Sequence, residues 1–301
     1  RGLDPHSGYM DEDLWKEMQL DTRGKFGGLG IEITMEEGFV KVISPIEDSP
    51  AYEAGILAGD FIIQIDDTPV FGLTLNESVE LMRGEKGKAV RLTISREGVE
   101  PFDVTVVRDI IKIQSVKYEV YDDIGYLRIT SFTEQTEEGL LKAINTIQTE
   151  NEGINGYILD LRSNPGGLLN QAVKVTDIFL KRGEIVSTRG RETKDIRRYR
   201  AKNKDLTDGK PIVVIINGGS ASASEIVAGA LQDHRRAIVI GTQSFGKGSV
   251  QTIIPFQRSN SDNISGIRLT TARYYTPSGE SIQGKGITPD IIIEQGEFES
   301  F

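Results

Sequence analysis

What most constrains this chain is a change of rhythm at Asp109. Beyond it, the short apolar runs GYLRIT, GYILDL, PIVVII and AIVIG alternate with the amphipathic stretches EEGLLKAINTIQT, LNQAVKVTDIFL and SEIVAGALQD. Apolar runs of this length read as buried strands and the intervening 3.6-residue periodicity reads as helix, so the alternation predicts an α/β core over 109–301, a mostly parallel sheet with crossover helices. In such a sheet every strand ends on one edge, where ligands bind. Three predicted strands run there into unusual loops: Arg162-Ser163-Asn164-Pro165-Gly166-Gly167, Gly218-Gly219-Ser220-Ala221-Ser222 and Thr242-Gln243-Ser244-Phe245-Gly246-Lys247. These loops are expected to be neighbours. From Ile267 to Glu294 strands return, broken by a turn at Thr276-Pro277-Ser278-Gly279.

Residues 27–108 have a different character. Alternating runs (GFVKVIS, FIIQID, AVRLTIS, FDVTVV) are punctuated by Gly and Pro, with one helical stretch NESVELMRG, which predicts a small β-rich domain. Residues 1–26 carry a short helical pattern at Leu14, Trp15 and Met18 and read as an approach segment. The opening RGLDPHSGYM reads as the interior of a longer chain, cut off from any export signal. A length of 301 residues is enough for two domains with real cores.

Several function classes are excluded at once. Lys and Arg total 35 against 45 Asp and Glu, and a net charge of −10 argues against nucleic acid or an anionic membrane as the main partner. The one strongly basic stretch, Lys181 to Lys204, holds ten Lys or Arg against three acids and reads as a solvated hairpin. There is no cysteine, hence no disulfide, thiolate metal site or Cys nucleophile, and only His6 and His234 are available for imidazole chemistry. No metal is expected. No apolar run approaches the ~20 residues of a membrane span.

Gly27-Gly28-Leu29-Gly30-Ile31 directly precedes a strand, and Ser49-Pro50-Ala51, Ala54-Gly55-Ile56 and Gly59-Asp60 follow in order. Together they resemble a PDZ domain of the kind attached to bacterial proteases. The resemblance implies that Gly28, Leu29, Gly30 and Ile31 point backbone N–H groups at a peptide's terminal carboxylate while the next strand edge pairs with the peptide. Val79, Leu81 and Met82 are expected to form the other wall of that groove, suited to an apolar C-terminal side chain.

Ser222 opens the helix SASEIVAGALQD, and with Glu225 it fits the S-x-x-E capping box, which by itself needs no catalytic explanation. The helix start also offers free N–H groups and a partial positive charge, the environment an oxyanion needs. His234 lies twelve residues further on, about 18 Å away at 1.5 Å per residue, and cannot serve as its base. Lys247 follows one helix and one strand later, back at the same edge. A lysine deprotonates a serine only in its neutral form, which a dry setting favours. Phe245 and the flanking glycines are expected to provide one, and Gln251 to hold the amine by a hydrogen bond without adding charge. The run Gly241 to Gly248 fails as a nucleotide-binding loop because Gly248 replaces the magnesium-binding hydroxyl residue, so no nucleotide cofactor is expected.

These residues, with Asp160-Leu161-Arg162, Asn164-Pro165-Gly166-Gly167, Leu3-Asp4-Pro5-His6-Ser7, Tyr275-Thr276-Pro277-Ser278-Gly279 and Gly286-Ile287-Thr288-Pro289-Asp290, resemble the carboxyl-terminal processing proteases of the S41 serine peptidase family over nearly the whole chain. The resemblance implies a crotonase-like protease core and an endopeptidase with a Ser222–Lys247 catalytic pair assisted by Gln251. It places the oxyanion donors on the backbone of Ala223 and of Gly166 or Gly167. It also implies protein or peptide substrates with free C-termini, an extracytoplasmic location in the periplasm or cell envelope, and membrane association or oligomerisation through a missing N-terminal region. Two rival readings are a crotonase-like acyl-CoA enzyme and a non-catalytic scaffold that binds C-termini.

Overall fold

The computed structural model describes residues 3–4, 6–46, 49–112, 114–151, 153–202, 205–257 and 264–294, without the side chains at positions 13, 16, 17, 21, 193 and 257. Pro5 of the Leu3–Ser7 motif and Asn203 and Lys204 at the end of the basic stretch lie outside the described residues. The chain divides into two compact units, Lys25–Ile113 and a larger one made of Arg1–Gly24 with Gln114–Phe301.

In the larger unit, six strands form one sheet in the order Val116–Tyr121, Ile124–Ile129, Gly156–Asp160, Ile212–Ile216, Ile238–Gly241, Ile291–Ile292. The first pair is antiparallel and all the others are parallel. The spatial order of the strands follows the sequence order. Because parallel crossovers are right-handed, such an order puts every connecting helix on the same face. That face is apolar: Leu127, Ile129, Leu159, Val214, Ile216 and Val239 are buried.

The helices Leu169–Phe179 and Ala223–Asp233 pack on each other, and both also touch the strand Glu184–Arg189 of a second sheet. Ala223 through Leu231 are all buried. A helix buried around its whole circumference needs cover on every side, and here a strand of each sheet and a neighbouring helix provide it.

The second sheet corrects the expectation of a mostly parallel core. Its strands Gly8–Met10, Glu184–Arg189, Arg197–Arg200, Ser249–Gln257 and Ile264–Tyr275 pair antiparallel throughout. Only residues 258–263 separate the last two strands, too few for the crossover that a parallel partner demands. The core is therefore a mixed α/β arrangement, in which the parallel description holds for one sheet. The basic stretch is likewise only half solvated: it forms a hairpin, but Ile185, Val186, Ser187 and Thr188 are buried between its charged flanks. The N-terminal helix Glu12–Arg23 lies on the strand Ile264–Tyr275, where Trp15 is buried against Gly266; a Cβ there would come within 2.7 Å of the indole.

The smaller unit is an antiparallel sheet ordered Ile31–Glu36, Phe39–Pro45, Phe61–Ile65, Ala89–Arg96, Val99–Val107, with Lys25–Gly28 and Asp109–Lys112 as a separate ribbon. Val40, Val42, Ile62, Ile65, Leu92 and Ile94 fill its core. At its margin Asp60 is buried and grips Arg96 through two hydrogen bonds of 2.6 and 2.8 Å, while accepting the Leu57 N–H at 2.9 Å. Burial alone would raise the Asp60 carboxyl, but these bonds outweigh it and hold its pKa below the ordinary value of 3.8.

A depressed folded-state pKa stabilises above the unfolded value and loses that contribution as pH falls through the folded one. Asp60→Asn is expected to weaken this unit by on the order of 2 kcal/mol at neutral pH. The gap to wild type should close as pH drops past 3.8. Hydrogen exchange along Ala89–Arg96 at a series of pH values checks this; a gap that persists in acid contradicts it.

Candidate functional site

The three loops at the carboxyl edge of the parallel strands are joined by hydrogen bonds from backbone N–H groups. Ala221 N–H donates to Asn164 O at 3.0 Å, Ser163 N–H to Asn217 Oδ1 at 2.8 Å, and Phe245 N–H to Ser220 O at 3.0 Å. Below them Asp160, fully buried at the end of its strand, accepts from Arg162 Nη2 at 2.6 Å and from the Tyr126 hydroxyl at 2.6 Å. Burial pushes the Asp160 carboxyl up, but Arg162 and Tyr126 more than offset this, so its pKa is lowered and the first loop starts from a fixed ion pair.

Ser222 is the one described residue with φ 55° and ψ −109° at a helix start. Helix-capping residues are normally extended, and a positive φ on a non-glycine residue is strained. Capping alone does not account for a conformation that costs energy. Its neighbours have plainer roles: Ser220 Oγ donates to Leu161 O at 2.8 Å and Ser224 Oγ to Asn164 O at 3.0 Å, both fully buried, so these two serines fasten loops.

Glu225 holds Ser222 in place. Its carboxylate is completely buried and takes four donors: Ser222 N–H at 2.7 Å and Lys247 N–H at 2.9 Å on Oε2, Gly246 N–H and Ser244 Oγ–H at 2.6 Å each on Oε1. One oxygen thus binds the backbones of both candidate catalytic residues. Ser244 extends the clamp by accepting Ile287 N–H at 2.6 Å. In the sequence Glu225 reads only as the partner in a capping box. The further signal was a lone charge in the apolar run SASEIVAGAL, which can be buried only if donors converge on it.

Lys247 lies half-buried in the third loop. The dry cover expected from Phe245 is absent: that residue is 65% exposed, and what fastens it to the neighbouring loop is its backbone N–H on Ser220 O. Gln251 is tied not to the lysine but to Thr270, with Nε2 2.9 Å from Thr270 Oγ1 and 3.3 Å from Ser249 Oγ. His234 caps the opposite end of the helix and its Nε2 lies 2.7 Å from Glu184 O. Gly166 packs directly on Ser222. Its φ is 100°, and a Cβ would meet Ser222 Cβ at 2.8 Å and Ala223 N at 2.9 Å. Its own N–H donates to Asn164 Oδ1 at 2.9 Å. Gly167 bridges to Phe132. Ala223, in the first turn, has no intrahelical acceptor for its N–H.

In the smaller unit, Gly28 ends a strand and Ile31 begins the outermost strand of the main sheet. Between them Leu29 is buried, with its carbonyl accepting Ala51 N–H at 2.9 Å, and Gly30 has φ 77° with its carbonyl accepting Ile46 N–H at 2.8 Å and Ser49 Oγ at 2.9 Å. Of the residues expected on the facing helix Leu75–Met82, Met82 instead points into the core.

Residues 123–293 match the model of peptidase family S41 and residues 41–96 that of the PDZ domain. A carboxy-terminal-processing protease of Bartonella bacilliformis is 62% identical over 296 residues, 97% of this chain and 67% of that protein. The carboxy-terminal processing protease CtpA of Bacillus subtilis is 39% identical over 298 residues, 98% of this chain and 62% of that protein. The chain thus spans 62% to 67% of the length of these two relatives. Among solved structures, a photosystem II D1 C-terminal processing protease matches with a TM-score of 0.57 at 31% identity, over 97% of this chain and 78% of that one.

Glu225→Gln puts an amide donor among four donors, so it is expected to cost on the order of 3 kcal/mol of stability. Ser224→Ala, losing one neutral hydrogen bond, should cost about 1 kcal/mol, and Ser220→Ala, losing the bonds to Leu161 O and from Asn217 N–H, about 2 kcal/mol. Chemical denaturation of the three variants checks the ranking; a Glu225→Gln protein as stable as wild type contradicts the clamp.

Proposed function

The chain belongs to peptidase family S41, and on that premise we propose that it is a serine endopeptidase that binds the unstructured C-terminus of a protein substrate through its PDZ domain and cleaves the substrate through an acyl-enzyme. The observation that carries the reading is the shared Glu225 oxygen, 2.7 Å from Ser222 N and 2.9 Å from Lys247 N. It puts a strained serine beside a lysine at a helix N-terminus.

Ser222 Oγ attacks the scissile carbonyl while the neutral Lys247 amine takes its proton. The oxyanion that forms is stabilised by the Ala223 N–H and a loop glycine. Between the two candidate glycines we assign Gly167, because Gly166 N–H is committed to Asn164. Lys247 then gives the proton to the leaving amine, and water hydrolyses the ester. Gln251 assists by orienting the lysine. Gly28, Leu29, Gly30 and Ile31 hold the substrate's terminal carboxylate, and the exposed edge of Ile31–Glu36 pairs with the segment before it.

Substrates with apolar C-termini, an extracytoplasmic site of action, membrane association or oligomerisation, and kinship of the core with crotonase-like folds complete the reading. Neither an acyl-CoA enzyme nor a non-catalytic scaffold accounts for a strained serine and a lysine loop fastened to the same carboxylate.

Ser222→Ala is expected to lower single-turnover peptide cleavage by on the order of a thousand-fold or more. Lys247→Arg should be as inactive as Lys247→Ala, because a guanidinium keeps its proton, whereas His234→Ala should turn over near-normally. For wild type, the rate should rise with pH as the neutral amine fraction grows. An active Lys247→Arg or a folded but dead His234→Ala overturns the mechanism.

Matched peptides ending in a free acid or an amide test the second half of the reading. At low concentration the amide should be cleaved more slowly. Equal rates would show that the smaller unit does not read C-termini.

A further inference from the structure

Gln251 sits where the pairing of two strands slips. Val250 faces Ala272, but Gln251 faces Thr270, leaving Thr271 as an extra residue. Such a bulge re-aims the side chains beside it. The Thr270 hydroxyl lies 2.9 Å from Gln251 Nε2, 3.3 Å from Gln251 Oε1 and 2.9 Å from Asp4 Oδ1. Asp4 comes from the opposite end of the chain. Its carboxylate also accepts the His6 N–H at 2.8 Å, the Ser7 N–H at 3.0 Å and the Ser7 hydroxyl, and Ser7 Oγ in turn accepts Thr270 N–H at 3.0 Å. The strand Gly8–Met10, which follows, pairs with Gly266–Arg268 and keeps this turn over Thr270.

A glutamine amide can face either way round, since its oxygen and nitrogen occupy equivalent positions. A threonine hydroxyl has a single proton. We propose that Asp4, acting through the Thr270 hydroxyl, is a positioning residue that fixes which end of the Gln251 amide is offered to Lys247. Asp4 as a carboxylate only accepts, so the Thr270 proton points to it. Thr270 can then only accept from Gln251, which commits the NH2 end of the amide to Thr270 and Ser249. The carbonyl end remains as an acceptor for an N–H of Lys247.

The reverse orientation would inhibit. An amide NH2 facing a neutral lysine would donate to the nitrogen lone pair, and that lone pair must receive the Ser222 proton. The Ser7 hydroxyl first, then the His6, Thr270 and Ser7 bonds, hold Asp4 down to a pKa of about 2, so the polarity of the chain of bonds is constant over the working pH range. The proposal rests on the Ser222–Lys247–Gln251 reading.

The test is steady-state peptide cleavage by the whole chain in Asp4→Asn, Thr270→Val, Thr270→Ser, Gln251→Ala and the Thr270→Val/Gln251→Ala double variant, each checked for folding by its melting curve. Thr270→Val is expected to lower kcat at least ten-fold with KM within two-fold and to move the rising limb of the pH profile to lower pH, because the reversed amide donates to the neutral amine and no longer accepts from its charged form. Asp4→Asn should do the same, and Thr270→Ser should recover most of the rate. In the Gln251→Ala background the Thr270→Val change should cost nothing more. An equal loss in both backgrounds, or an unchanged kcat in folded Thr270→Val and Asp4→Asn, overturns the proposal. If Thr270→Val does not fold, Asp4→Asn alone and combined with Gln251→Ala gives the same comparison. Fully active Ser222→Ala or Lys247→Arg variants would instead overturn the underlying reading, so the two failures are distinguishable.

Discussion

The buried Glu225 carboxylate is the interaction on which the rest depends. It sits in the first turn of a helix, where a negative charge is favoured by the helix dipole, and no cation among the described residues forms an ion pair with it. Four hydrogen bonds from three sequence positions beyond its own turn and from Ser222 do so instead. A buried charge compensated only by donors is unforgiving about their placement. The loop Ser244–Lys247 therefore has little freedom to move without exposing or orphaning the charge, and the strain at Ser222 is held by the same bonds. Stability and site geometry are here one constraint.

Legibility in the sequence followed the range of the interactions. The strand–helix alternation and the glycine-rich loops are local patterns, and the meeting of the loops follows from parallel strands sharing an edge. The pairing of Asp4 with Thr270 spans 266 residues, and nothing in either stretch announces the other. The antiparallel sheet was hidden for a related reason. The strand Ile264–Tyr275 mixes polar and apolar residues, ISGIRLTTARYY, because its neighbours change along its length. Charge averaging obscured Glu184–Arg189, whose buried run Ile185 to Thr188 is flanked by lysines and arginines. Phe245 misled because an aromatic residue in a loop, outside any strand or helix period, carries no sequence signal of burial.

The parallel sheet has no reversal of strand order, so it has no switch-point crevice of the doubly wound kind. The site is made instead by what is packed on the helix face. The loop that leads into the antiparallel strand Ser249–Gln257 is brought to the start of a helix whose own buried surface needs cover on both sides. An architecture that uses one helix layer to join two sheets thus also delivers residues from both to its N-terminal end.

The strand Ile264–Tyr275 holds Gly8–Met10 on the same flank as Glu184–Arg189, with Gly8 opposite Arg268. Contacts of such sequence separation form late, since the intervening chain must lose its freedom before they contribute. During synthesis the serine emerges well before the strand that carries Thr270, and the N-terminal turn waits for that strand as well. A nascent chain thus passes through a long interval in which Ser222 exists but the residues packed around its loop do not, and that cluster closes only when segments 266 residues apart have found each other.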